Sequence, residues 1–217
     1  YMLNGIKPTE RMVKAMDICL ILHADHGFNA STFASLVTIS TLSDMYSAVT
    51  TATGTLKGPL HGGANQGVML MLNEIGEMDN VEKYVMDKLS KHERVMGFGH
   101  RVYKAYDPRA TYLKTFAEGI AEDTGNLELF KMSKRIEEVM AREVGEKGIF
   151  PNVDFYSATT YFSLGLDLDL FTPLFAMSRV SGWTAHCLEY LNENRLIRPR
   201  CTYIGPHQQK YEPMEKR

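Results

Sequence analysis

The chain has 217 residues, of which 44% are apolar and 23% charged, a balance typical of a soluble globular protein large enough to bury a core. Its net charge of -2 argues against a nucleic-acid partner or a membrane surface, and no apolar run approaches the roughly 20 residues that span a bilayer. Three widely spaced cysteines without metal-ligand spacing favour a reducing, cytoplasmic compartment.

The chain begins with Tyr1 rather than Met, which we interpret as the start of a fragment.

The hydrophobic pattern predicts helices almost throughout, so the predicted fold class is all-α. Residues 81–90 carry apolar side chains at helical spacing, and residues 134–145 repeat the pattern. Between these segments, Asp107 and Pro108 are suited to the N-cap and first position of a helix.

Two further features come nearer the C-terminus. Residues 170–191 form an apolar stretch with too few polar positions for a surface helix, which predicts a buried central helix. Residues 201–205, CTYIG, are the only segment that looks extended. Glycine and proline breaks at 54–63 and 148–151 enclose charged amphipathic helices, which suggests a middle module hinged to an outer one.

Three histidines lie in segments that contain glycine. His23 and His26, in LHADHGFNAS, could share a helix face and ligate a metal, but no cysteine or carboxylate with metal-ligand spacing joins them, so the metal site is the weaker interpretation. His61, in GPLHGGANQG, precedes a predicted helix whose dipole disfavours a charged imidazole. A neutral imidazole there can donate a hydrogen bond to a carbonyl or enol oxygen. On this segment alone, a polar turn residue that caps the helix is the simpler interpretation.

The stretch GFGHRVYKAYDPR combines two glycines with His100 and Arg109. No strand is predicted before Gly97, and no further glycine follows at dinucleotide spacing, so the stretch is a poor nucleotide motif. The glycines instead indicate backbone that can lie close to a ligand. Arg109, at the second position of a predicted helix, is placed to bind a carboxylate through its guanidinium fork, with a solvated surface arginine as the alternative.

Two charged residues lie in apolar surroundings. Asp154, in IFPNVDFYSATTYF, has an environment that would raise its pKa and suit it to proton abstraction beside a carbonyl, although an N-cap for the following helix explains it equally well. Arg179, in FTPLFAMSRVSGWTAHCLEYL, needs an anion or a hydrogen-bond acceptor as partner. One candidate base, neutral imidazoles and several arginines suit carbon–carbon bond formation on a small polycarboxylate, and this set also fits other chemistries.

Six motifs resemble the citrate synthase family, in the order LHADHGFNAST, GPLHGGANQ, GFGHRVYKAYDPR, NVDFYSA, FTPLFAMSRVSGWTAH and NRLIRPR. The resemblance covers essentially the whole chain and corresponds to the C-terminal part of the family. It implies an all-α homodimer with two helical domains and an active site in the cleft between them. Residues 1–60 and 166–217 would belong to the large domain, here without its N-terminal part, and residues 61–165 would form the small domain.

The resemblance also implies a reaction, in which oxaloacetate, acetyl-CoA and water give citrate and CoA. Acetyl-CoA is a co-substrate, and the family uses no metal or other cofactor. By resemblance, Asp154 takes a proton from the acetyl methyl group, His61 stabilises the resulting enol, and His100 protonates the oxaloacetate carbonyl.

Other residues match substrate-binding positions of the family. His26, Arg109 and Arg179 would contact oxaloacetate. Arg198 would reach into the active site of a partner subunit, and Phe175 would help to exclude water. The positions expected to contact CoA are Val95, Gly97, Phe98, Gly99, Lys104 and Arg200.

Two alternatives stay open at this point. A 2-methylcitrate synthase performs the same chemistry on propionyl-CoA, and one extra methylene in an apolar pocket changes binding by only ~1–3 kcal/mol. The other alternative is an inactive fragment, because the N-terminal part of the family supplies some of the large domain and some CoA contacts.

Overall fold

The computed structural model describes residues 1–100, 103 and 105–216, and within these residues the chain forms nine α-helices and no β-strand. The all-α prediction is therefore confirmed. Within the same residues, no helix is both long enough and apolar enough to cross a bilayer. The helices are α1 (Glu10–His23), α2 (Ala30–Ile39), α3 (Met45–Leu56), α4 (Ala64–Ile75), α5 (Val81–Ser90), α6 (Pro108–Thr124), α7 (Leu127–Val144), α8 (Val153–Ser163) and α9 (Phe171–Asn192).

Local signals set several helix ends as the sequence predicts. Asp107 caps α6 by accepting the Arg109 backbone N–H at 3.0 Å, and Pro108 is the first helical residue. The helix ends at Gly125, whose φ of +75° is the left-handed conformation that glycine adopts at little cost. The amphipathic pattern at 134–145 falls in α7 except for its last residue, and the helix begins several residues earlier, at Leu127.

Helix α8 lies at the centre of the largest hydrophobic cluster. Nine of its eleven residues are buried, and it packs among apolar side chains from α4, α5, α6 and α7, together with Cys19 of α1. Two smaller clusters join α2, α3 and α9. The apolar contacts therefore fall into two groups, and α1 contributes to the larger one. The domain boundaries at residues 61 and 165 stay a prediction.

The expectation that 170–191 forms a buried central helix is only half right. The segment is helical as α9, but the side chains of Met177 and Leu188 are 57% and 60% exposed. Apolar composition on all faces does not say which face packs within the chain, and here one face packs against α1, α2 and α3. The segment 201–205 forms no strand; the one β-type pairing in the described part of the chain is a bridge between Phe98 and Pro151.

Candidate functional site

Helix α9 fixes the C-terminal end of α1 and the turn that carries His26. The Arg179 Nε donates to the His23 carbonyl at 2.6 Å, and the Gly182 backbone N–H donates to the Ala24 carbonyl at 3.1 Å. Carbonyls at a helix C-terminus lack intrahelical donors, so α9 supplies the hydrogen-bond donors that α1 lacks there. Because α1 ends at His23, His26 lies beyond the helix, and the two histidines do not share a helix face.

Arg179 is 2% exposed, and its partners belong to the chain itself. Besides the His23 carbonyl, its guanidinium carbon lies 4.7 Å from the centroid of the Phe175 ring, a cation–π contact. Burial and the Arg109 charge lower its pKa to about 10, so it stays cationic at neutral pH. The sequence prediction that this arginine needs an acceptor is confirmed.

His26 and His100 form a directed hydrogen bond, with their Nε2 atoms 3.0 Å apart. The Tyr103 backbone N–H donates to His100 Nδ1 at 3.0 Å, so the proton of a neutral His100 ring is on Nε2 and points to His26. Burial, followed by the charge of Arg109, lowers the pKa of His26 to about 4. His26 is therefore a neutral acceptor in this pair at physiological pH.

His61 lies at the start of α2 as well as ahead of α4. Its Nε2 is 2.8 Å from the Ser31 hydroxyl and 3.3 Å from the Ser31 backbone N–H. The indole of Trp183 donates to the same hydroxyl at 3.0 Å, and the Phe175 ring lies edge-on at 6.2 Å between centroids. Burial and then the charge of Arg179 lower the pKa of His61 to about 4. An imidazole with so low a pKa is neutral at pH 7, in line with the sequence prediction, and its role at an enol oxygen stays a prediction.

Asp154 occupies the second helical position of α8, and its N-cap alternative is wrong. The cap is Asn152, whose Oδ1 accepts the Asp154 backbone N–H at 3.0 Å. Burial raises the pKa of Asp154 to about 6, against the opposing charges of Arg109 and Arg179. Its Oδ1 is buried with no hydrogen-bond partner among the described residues. The raised pKa that the apolar surroundings predict is thus present.

Arg109 binds a carboxylate, as predicted, but the carboxylate is that of Asp107. Its Nε and Nη2 donate to the two oxygens of Asp107 at 3.1 and 2.8 Å. The Asp107 side chain is 1% exposed, and these bonds outweigh its burial and lower its pKa. Asp107 therefore orients Arg109 in addition to capping α6.

The glycine stretch at 97–99 is held against the start of α8. The Asn152 backbone N–H donates to the Gly97 carbonyl and the Gly99 N–H to the Phe150 carbonyl, both at 2.9 Å. Gly97 has φ +78°, and a Cβ there would lie 2.8 Å from the side chains of Phe155 and Val68. The space beside Gly97 is therefore filled by the protein itself and not left for a ligand, which corrects the sequence interpretation of this glycine.

The rest of this stretch differs from Gly97. Gly99, with φ +85°, has no described atom within 4 Å of a Cβ position. The Phe98 ring packs edge-on against Phe155, with centroids 4.7 Å apart, and Val95 is buried at 5% exposure.

The structure brings most of the predicted site together. The charge of Arg179 lowers the pKa values of Asp154, His61 and His26. The charge of Arg109 also lowers those of Asp154 and His26. Two predicted positions, Arg198 and Arg200, are exposed on the segment after α9. Lys104 lies outside the described residues.

Sequence reasoning missed several residues of the cluster. Ser31 contacts His61 across thirty residues of chain, and no local pattern indicates such a contact. Asn152 carried a readable signal, since an asparagine two residues before a buried aspartate is typical of a capped helix start. His23, which the sequence suggested only as a weak candidate metal ligand, lies beside these residues, with its Nδ1 2.7 Å from the Cys19 carbonyl and its ring 4.7 Å from that of Phe175.

Comparison with known proteins gives one consistent result. Residues 1–200 match the family model described as the C-terminal domain of citrate synthase. Citrate synthase 2 of Bacillus subtilis is 57% identical over all 217 residues, and a 2-methylcitrate synthase of Shewanella oneidensis is 43% identical over the same length. A citrate synthase of Thermoplasma acidophilum, solved with carboxymethyl coenzyme A and oxaloacetate, superposes with a TM-score of 0.93 at 45% identity over 98% of the chain. The chain spans 57–58% of the length of these proteins.

Proposed function

The chain belongs to the citrate synthase family, and from this we propose that it provides the catalytic groups of an enzyme that condenses oxaloacetate with acetyl-CoA and water to give citrate and CoA. The observation that carries the proposal is the position of Asp154. A carboxylate with a raised pKa lies in one electrostatic cluster with neutral His61 and two arginines. This is the set that enolisation beside a dicarboxylate requires.

Asp154 is the general base in the proposed reaction. A methyl group beside a thioester is a very weak carbon acid, so the base works only if the forming enolate oxygen is stabilised. With a pKa of about 6, Asp154 is mostly ionised at pH 7 and is more basic than an ordinary aspartate. It removes a methyl proton, and the C–H electron pair moves towards the thioester oxygen.

His61 stabilises that oxygen as a neutral donor. When its Nε2 accepts the Ser31 N–H, the ring proton lies on Nδ1, available to the thioester carbonyl. The enol carbon then attacks the ketone carbon of oxaloacetate, and the new alkoxide takes a proton from His100 Nε2. Hydrolysis of the thioester releases CoA and citrate.

The arginines and His26 hold oxaloacetate in this proposal. Arg109 and Arg179 are the cations of the cluster. Nε of each arginine, and Nη2 of Arg109, already donate within the chain, so the remaining Nη hydrogens are the ones that would donate to a substrate carboxylate. The neutral His26 offers a hydrogen bond without adding charge. Phe175 lies between His23, His61 and Arg179 at 4% exposure, so it keeps water from the reacting groups.

The remaining predicted contacts belong to the assembled protein. We place CoA beside Gly99 and the backbone of Val95 and Phe98, with Lys104 and Arg200 near its phosphates. Arg198, exposed in this chain, completes the site of a second subunit in a homodimer. Native mass spectrometry tests this arrangement, and a monomer would contradict the role of Arg198. Free, buried Cys19 and Cys187 accord with a reducing cytoplasm.

The first experiment measures CoA release with oxaloacetate and acetyl-CoA, for this chain and for the full-length gene product. Release by the chain shows that residues 1–217 suffice. Release only by the full-length protein supports the proposed reaction and makes this chain an inactive fragment. No release by either protein contradicts the proposed function.

A second candidate is 2-methylcitrate synthesis from propionyl-CoA, supported by the relative from Shewanella oneidensis. The two thioesters differ by one methylene, worth ~1–3 kcal/mol in an apolar pocket. The same assay with both thioesters separates the two functions by their kcat/KM ratio. A ratio above one for acetyl-CoA supports citrate synthesis, and the reverse supports 2-methylcitrate synthesis.

A further inference from the structure

Glu137 on α7 accepts hydrogen bonds from three different parts of the chain. Its Oε1 accepts the hydroxyl of Tyr106 at 2.7 Å. Its Oε2 accepts the ammonium of Lys114 at 2.6 Å and the hydroxyl of Tyr156. The Glu137 side chain is 14% exposed. A carboxylate so enclosed is stable only because several donors replace the water it has lost.

The two tyrosines sit next to the candidate active site in sequence. Tyr106 immediately precedes Asp107, the residue that caps α6 and accepts hydrogen bonds from Nε and Nη2 of Arg109. Tyr156 follows Asp154 by two residues on α8. One carboxylate therefore ties the segment that presents the arginine clamp to the helix that presents the base. The third donor, Lys114, comes from α6 itself.

The chemistry of the donors keeps these bonds in place across the working pH range. Burial is the larger cause that raises the pKa of both tyrosine hydroxyls, and the hydrogen bond to Glu137 raises the pKa further. Both hydroxyls thus remain protonated donors at neutral and mildly alkaline pH. The Lys114 ammonium also lies 5.6 Å from the centroid of the Tyr156 ring, which adds a cation–π contact to the same cluster.

We propose that Glu137 is a positioning residue that holds Arg109 and Asp154 in register through Tyr106 and Tyr156. This inference rests on the proposed condensation reaction, because it assigns the two tethered segments to different steps. The Tyr106 bond would govern how oxaloacetate is held, and the Tyr156 bond would govern proton abstraction from the acetyl group. Displacement of a reacting group by about 1 Å can lower a rate about 100-fold.

The test compares Tyr106→Phe, Tyr156→Phe and Glu137→Gln in the full-length gene product. Tyr156→Phe is expected to lower kcat about 10- to 100-fold with the KM for oxaloacetate little changed. Tyr106→Phe is expected to raise the KM for oxaloacetate about 10-fold with a smaller change in kcat. Glu137→Gln should show both effects. The matched control is Glu138→Gln, because Glu138 is the next residue on α7 and pairs only with Arg135 among the described residues, on the surface.

Each result decides the proposal. The split between KM and kcat supports it, since a loss of folded protein would lower the active fraction and leave KM unchanged in every variant. The proposal is overturned if kcat and KM of the variants stay within twofold of wild type. It is also overturned if all three substitutions change kcat and KM in the same way. Wild-type protein that releases no CoA refutes the proposed reaction instead. A crystal structure of Glu137→Gln then tests the tether alone, with displaced 106–109 and 154–156 segments in favour and unchanged positions against.

Discussion

At Asp154, burial and the neighbouring arginines act in opposite directions on one carboxyl group. Its ordinary pKa of 3.8 applies to the unfolded chain, and its pKa in the folded protein is about 6. Between these values the folded state binds the proton more tightly, so folding stability due to this group falls as the pH rises. A base that is ready to react at neutral pH therefore costs the fold some of its stability.

Asp154→Asn is expected to be more stable than wild type at pH 8, by up to about 3 kcal/mol, because the amide cannot ionise. The gain should shrink to about half at pH 5, where the wild-type carboxyl is largely protonated. Urea unfolding of both proteins at the two pH values measures this. A gain that does not change with pH would show that some other contact causes it.

Asp154→Ala in the full-length protein is expected to lower turnover about 100- to 10,000-fold, the range that general base catalysis contributes. Oxaloacetate affinity, measured by calorimetry, should stay within a few-fold, because the arginines and His26 remain. Turnover near the wild-type level would exclude Asp154 as the base.

At the scale of elements, the junction between α1 and α9 depends on close backbone contact. A Cβ on Gly182 would lie 2.5 Å from the Ala24 carbonyl oxygen and 2.9 Å from Asp25 Oδ1. These atoms belong to the turn that carries His26. A larger residue at 182 must therefore push the histidine away from its place opposite His100.

Gly182→Ala is expected to destabilise the chain by about 1–3 kcal/mol, the usual cost of overpacking a tight contact. Gly54→Ala is the control, because Gly54 lies in α3 with no described atom within 4 Å of its Cβ position. Alanine there should stabilise the helix by about 0.5–1 kcal/mol. Thermal unfolding of both variants measures the difference, and equal effects would contradict the close contact at 182.

Helix ends follow local chemistry, and so the sequence predicts them well. Asp107, Pro108 and Gly125 mark α6 because a cap, a fixed φ and a left-handed residue each act within a few positions. The exposed face of α9 and the central place of α8 follow from contacts between distant segments. Nothing in 170–191 distinguishes a face that packs within the chain from one that does not.

The candidate site divides in the same way. Family motifs and residue types predict Asp154, His61 and His100, and the apolar neighbours of Asp154 predict its raised pKa. The pairing of Arg109 with Asp107 could not be read from the sequence, because a cap residue has no evident reason to bind the side chain two positions later. Glu137 was missed for a similar reason, since its three donors come from positions 106, 114 and 156.

At the scale of the whole molecule, the neutral histidines make the free energy of unfolding depend on pH. The pKa values of His23, His26 and His61 are lowered to about 4, whereas an unfolded histidine has 6.5. On the three histidines the unfolded chain therefore binds up to about three more protons than the folded chain near pH 5, and Asp154 offsets about one of them. Stability due to these groups is complete above pH 6.5 and is lost as the pH falls towards 4.

The free energy of unfolding is accordingly expected to decrease by about 1–2 kcal/mol for each unit that the pH falls around pH 5, because His26 and His61 are partly exposed and solvent screens part of their effect. Urea titrations at pH 4.5, 5.0, 5.5 and 6.5 measure the slope. His61→Gln should reduce this slope by about a third to a half, because glutamine takes up no proton. A slope near zero in the wild type would mean that these rings are charged in the folded protein.

The pairing of residues 97–99 with 150–152 also has a consequence for amide hydrogen exchange. The Gly99 and Asn152 amide hydrogens are both held by carbonyls of the opposite segment. They exchange with solvent only when the stretch that leads to His100 separates from the start of α8. Their exchange rates therefore report how often the segment that leads to the proposed acid, His100, separates from the helix that carries the proposed base, Asp154. The measurement uses the ligand-free protein and needs no label or substrate.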